Sequence, residues 1–148
     1  MVLETGQILS IAVRRGSVSL DGEESVLYQP THENHPCCVW ASASPANGQW
    51  TLRLLVELGA EYTHRYDREH ATCERLLPFL MQDHSLPPPT DFPNCTTYPQ
   101  CGNPHHAYQQ YLRDKWRAQD RPPAWTRRDP PLWNVRKYTP IGLNPDAG

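Results

Sequence analysis

The residues able to do chemistry fall into four groups along the chain. Glu4 shares the side of an N-terminal apolar stretch with Ile8 and Ile11. A carboxylate on an apolar stripe is costly unless paired, and desolvation there favours the protonated form, which suits a general acid or base. Spacing alone favours the plainer alternative, a first-turn acid facing solvent where the helix dipole stabilises it. His35 precedes Pro36 in a sharp turn shortly before Trp40, placed to bind a phosphate or to move a proton. A histidine in such a turn also serves to satisfy loop carbonyls. Glu61 and Arg65 stand one helical turn apart beside Leu54 and Leu58, and are read as a partly buried pair. With Trp40 and His70 they are the residues expected to line a pocket. In the C-terminal part, Lys115, Trp125, Arg127 and Arg128 interleave rings with cations, a pattern suited to nucleic acid. The alternative is that Trp125 and Trp133 only pin a Pro-rich tail to the core.

Five cysteines and seven histidines raise the question of metal. Cys95 and Cys101 are six apart with His105 and His106 following, and Cys37 and Cys38 are adjacent. Structural zinc sites usually place roughly two to four residues between paired cysteines. The spacing therefore predicts no metal site and no cofactor. The odd number of cysteines shows no disulfide framework, which fits reduced thiols in a cytosol.

Positioning these groups requires elements, and the pattern is α-rich. An apolar helix is read over 2–15. A Gly-containing acidic loop follows over 17–28, then a turn and a short apolar run within 29–43. Ser44-Pro45 opens a helix over about 45–67. Thr72 is read as the cap of a short helix running through Leu76 toward Met81. Five prolines make 85–103 an irregular connection, and Asn103-Pro104 starts a helix to about Arg117. The expected fold is mainly α: one compact helical domain over 1–120 with long Pro-rich loops. An extended basic and aromatic tail over 121–148, with Arg136 and Lys137 near its end, packs on that domain.

Composition narrows the function. Apolar content is 38 % and there are 16 prolines, so aromatic residues must supply much of the core. No apolar run is long enough for a membrane span. The net charge of −2 argues against indiscriminate nucleic-acid binding. Its distribution is uneven, however. Residues 1–106 carry six Arg against twelve acids, whereas 107–148 carry eight basic residues against four acids.

Three segments carry a resemblance: MVLETGQILSIA, then YQPTHENHPCCVWASASPANGQWTLRLLVELGAEYTHRYDREHA, and HHAYQQYLRDKWRAQDRPPAWTRRDPPLW. They resemble a family of small, mostly uncharacterised bacteriophage proteins. That family has a His-Pro turn followed by Trp, a Glu-Tyr-x-x-Arg-Tyr helix, and a Tyr-rich helix leading to a basic Trp-Thr-[Lys/Arg]-Arg tail. Its members begin with a short strand and an Asp-Lys-His-type motif. The resemblance thus implies roughly two dozen residues upstream of Met1 that this sequence lacks. More distantly the family is similar to the phage pyrimidine-dimer DNA glycosylases. By that similarity Glu4 takes the place of the catalytic glutamate that assists Schiff-base chemistry, and Lys115, Trp125, Arg127 and Arg128 lie near DNA.

The function expected from residues and resemblance together is that of a DNA-acting, glycosylase-like phage protein working on duplex DNA in the host cytosol. Glu4 and His35 would be its acid–base residues. Two other classes compete with it. One is a non-catalytic interaction protein that binds a host factor. The other is a small nucleotide-processing enzyme built on His35, Glu61, Arg65 and His70. The sequence does not set the oligomeric state.

Overall fold

The structure is a computed structural model that describes residues 1–121, 123–125 and 127–134. The described residues form five α-helices and three single 3-10 turns, with no strand, so the chain is mainly α as expected. Helix α1 spans Val2–Arg14, α2 Pro36–Ser42, α3 Pro45–Tyr66, α4 Ala71–Leu76 and α5 Pro104–Ala118.

Three of the helices start with the same local device. His35-Pro36, Ser44-Pro45 and Asn103-Pro104 each set an extended polar residue before a proline at the first helical position. Proline lacks an N–H that would be unpaired there anyway, and its fixed φ suits a helix start. The preceding side chain then accepts a hydrogen bond from an exposed backbone N–H: Ser44 from Asn47 at 3.2 Å, Asn103 from His105 at 2.9 Å, His35 from Cys37 at 3.2 Å. Part of the high proline content is therefore helix punctuation. The cap of α4 is His70, whose Nδ1 accepts from the Thr72 N–H at 3.1 Å. Thr72 lies inside the helix and is buried, so the expected Thr72 cap is two residues late. The apolar run near 38–41 belongs to the short helix α2.

Helix α1 ends in a Schellman motif. Gly16, at φ 79°, donates to the Val13 carbonyl and Ser17 to that of Ala12, at 2.9 and 3.0 Å. The chain then passes an isolated bridge between Leu20, in the loop expected over 17–28, and Leu80.

The core gathers Leu9 and Ala12 of α1, Ala41 of α2, Leu52 and Leu55 of α3 and Leu76 of α4, with Val18, Leu27, Cys73 and Leu80. Helix α1 packs against α2, α3 and α4. Close approach requires small residues at the crossings. A Cβ on Gly48 would stand 2.7 Å from the Ser17 carbonyl oxygen, a backbone atom with no room to yield. Buried polar groups are paired inside this core: Ser10 donates to Gly6 and accepts from the Tyr28 N–H. Among the described residues no buried side-chain nitrogen or oxygen lacks a hydrogen-bond partner.

Contacts group the chain into two compact units, Met1–Cys95 and a second from Thr96 onward. The sequence reading divides the chain at residue 120 instead, leaving α5 with the helical core. Among its described residues the second unit holds the stretch 96–103, then α5, and the 3-10 turn Leu132–Asn134 packed on that helix. Arg136 and Lys137 lie outside the described residues.

Candidate functional site

Glu4 projects from the first turn of α1 and is 69 % exposed, with Oε2 2.5 Å from the terminal ammonium of Met1. Ile11, two turns on along the same side, is buried with Thr5, Gly6, Leu9, Ser10 and Ala12, while Glu4 stands at the exposed start of the helix. The geometry is that of a first-turn acid exposed to solvent.

Of the four residues expected to line one pocket, Glu61 and Arg65 pair with each other, and Trp40 and His70 engage other partners. Arg65 Nε and Nη2 both reach Glu61 Oε1 at 2.6 Å, and the pair is about three-quarters buried, as expected. His70 caps α4 and meets the Tyr62 ring edge-on at 4.8 Å. Trp40 lies edge-on to Trp50 at 5.4 Å and donates from Nε1 to Thr90 Oγ1 at 3.0 Å. A cleft of about 380 Å³ opens elsewhere, beside Gln7, Glu24, Tyr28 and Arg75, and includes none of the four. The Arg75 guanidinium there serves the backbone, donating to the carbonyls of Ser25, Val26 and Leu27 while stacked 4.6 Å over Tyr28.

His35 is drawn into a group that linear spacing does not suggest. As N-cap of α2 it sits beside Cys37 in the first turn. Cys95, at the end of the Pro-rich segment, brings its sulfur to 3.8 Å from Cys37 Sγ. The donor atoms of His35, Cys37 and Cys95 all lie within 4.8 Å of one another at the surface of the first unit.

The segment that delivers Cys95 is fixed by α3. Asn47, only 1 % exposed, donates to the Trp40 carbonyl at 2.9 Å and to Thr90 Oγ1 at 3.0 Å. Its Oδ1 accepts from the Thr90 N–H at 3.0 Å. Phe92 then stacks on Trp50, with centroids 5.6 Å apart, and meets Trp40 edge-on. All five cysteines are thiols. Burial pushes the Cys38 and Cys73 thiols above their ordinary range, which keeps these two protonated and unreactive.

In the second unit the tryptophans form a cluster. Trp116 of α5 stacks on Trp133, with centroids 5.5 Å apart at 22°, and meets Trp125 edge-on at 5.4 Å. Arg113 donates to the Trp133 carbonyl and, at 3.0 Å, to Gln110 Oε1. Tyr98 donates its hydroxyl to Asp114, and Gln110 donates to the same carboxylate at 3.0 and 3.2 Å. These bonds, that of Tyr98 foremost, hold the Asp114 carboxyl below its usual range, and the bond to Asp114 raises the Tyr98 hydroxyl above its own. Lys115, Arg117, Arg121, Arg127 and Arg128 are exposed. Arg127 takes a left-handed backbone conformation at φ 63°, uncommon for a residue other than glycine. Trp125 thus packs on Trp116 within this unit, and Arg127 and Arg128 beside it are exposed.

Comparison with protein-family models, with curated proteins and with solved structures gave no significant match. No helix among the described residues is long and apolar enough to cross a membrane.

Proposed function

We propose that this protein binds duplex DNA by gripping the phosphate backbone through its C-terminal unit. The observation that carries the reading is the set of five exposed cations, Lys115, Arg117, Arg121, Arg127 and Arg128, on a tryptophan-braced scaffold. Fixing cations on a packed support lowers the ordering cost of each phosphate contact. The acidic excess of residues 1–106 limits contact with a polyanion to the other part of the chain. Backbone contacts position a protein on the duplex and carry no sequence information by themselves. The base-excision chemistry implied by the glycosylase resemblance is not part of this reading, because Glu4 stands in solvent and acid–base catalysis gains most in a water-excluded site.

The test is duplex binding measured across a salt series. If all five cations meet phosphates, log K falls against log salt with a slope of about −4 to −5. The double variant R127A/R128A weakens binding evenly across sequences and makes the slope shallower by about two. Absence of binding at low salt, or a slope unchanged in the double variant, refutes the reading.

A further inference from the structure

We propose that His35, Cys37 and Cys95 bind a zinc ion. Two thiols and an imidazole form a soft to borderline donor set, suited to zinc and not to magnesium or calcium. The sulfur geometry is close to what the ion requires. With zinc–sulfur bonds of about 2.3 Å at a tetrahedral angle, two thiolates stand about 3.8 Å apart. Cys37 and Cys95 have their sulfurs 3.8 Å apart, whereas a disulfide would need them about 2.05 Å apart. A sulfur-to-nitrogen edge of the same tetrahedron measures about 3.6 Å. All three donors already lie within 4.8 Å, so an adjustment of about 1 Å at an exposed imidazole completes the set.

The fold itself places the two thiols. Cys37 is placed by the first turn of α2, and Cys95 by the Asn47–Thr90 hydrogen bonds and the Phe92 ring held against Trp50. Binding releases the two thiol protons, and the two thiolates balance the charge of the dication. Coordination through His35 Nδ1 exchanges the 3.2 Å cap bond from the Cys37 N–H for a metal bond, while Nε2 keeps its proton. Three protein ligands leave the fourth position to solvent water. The ion then clamps the Pro-rich segment to α2, joining residues 58 apart in sequence.

The experiment uses the full chain, reduced and stripped of metal, titrated with Zn²⁺ against a chromophoric chelator. A parallel titration uses Co²⁺ as a spectroscopic substitute. One ion per chain is expected, with thiolate-to-cobalt charge-transfer absorption and the intense visible bands of a tetrahedral centre. C37S, C95S and H35A should each weaken zinc binding about tenfold or more, while C101S leaves it unchanged. Because Cys95 is exposed, C95S is expected to keep the circular dichroism of the parent, which separates ligand loss from unfolding. Lack of stoichiometric zinc uptake, uptake that survives C37S, or uptake lost in C101S would each overturn the proposal.

Discussion

The two units hold themselves together by different means. Met1–Cys95 closes over aliphatic side chains: Leu9, Leu55 and Leu76 are fully buried, and glycines allow the elements to approach closely. In the second unit Ala107 is the buried hydrophobic residue of α5, Trp125 and Trp133 pack on Trp116, and the Tyr98–Asp114–Gln110 hydrogen bonds tie the stretch before α5 to the helix. Aliphatic burial is non-directional and insensitive to pH. Ring stacking and a charged hydrogen bond depend on a few groups and on their protonation. The first unit is therefore built to resist changes of condition, and the second to depend on single residues.

Substitutions can break this contrast. Leu55→Ala leaves a cavity at a site with no exposure and should cost about 2–5 kcal/mol, read as a lower urea midpoint in far-ultraviolet circular dichroism. Trp116→Ala removes the ring pairs with Trp125 and Trp133 and should cost about 1–3 kcal/mol. It should also abolish much of the near-ultraviolet signal from tryptophan while leaving the urea transition of the first unit in place. If Trp116→Ala shifts that transition as far as Leu55→Ala does, the contrast fails.

The smallest effect is expected from Asp114→Asn, and its sign follows from protonation. The Asp114 carboxyl titrates below the ordinary value of about 3.9. Its contribution is complete above that value and is lost as pH falls through the lowered one. Tyr98 titrates above its ordinary value of about 10, so its contribution holds below that and is lost as pH rises through the raised one. Thermal stability of the second unit should thus decline at both extremes, and Asp114→Asn should remove the acid limb. An acid limb of unchanged size in the variant would assign that loss to other groups.

Helix existence was legible at two of the three starts marked by a polar residue and proline, and α2 behind His35-Pro36 was too short to show a period. Ser44-Pro45 and Asn103-Pro104 mark the starts of α3 and α5 in the sequence as plainly as in the structure. Faces were harder to read. The stripe of Trp50, Leu54, Leu58, Glu61 and Arg65 forms the half-buried flank of α3. Its buried side carries Asn47, Gly48, Thr51 and Gly59 beside Leu52 and Leu55. Small and polar residues there permit close packing and internal hydrogen bonds, which a search for apolar periodicity passes over. His35 stood out through its turn, but its partners did not. Cys37 and Cys95 meet where the Asn47–Thr90 bonds and the Phe92–Trp50 contact fold an irregular segment back, and nothing in cysteine spacing encodes that. Glu4 stands exposed in the first turn, the plainer alternative that spacing favoured, while Leu9 and Ala12 of α1 enter the core.

Pro45 has a consequence beyond starting a helix. Only Ala43 and Ser44 separate α2 from α3, and both flanking stretches favour helix. Without the ring, which drives Ser44 out of the α region, 36–66 could run on as one rod about 46 Å long. Such a rod would turn Trp40 away from Trp50 and leave the Thr90–Phe92 segment without its seat. One imino acid thereby decides whether this stretch of chain is a corner or a spoke, and the corner is what creates an inside for distant residues to enter.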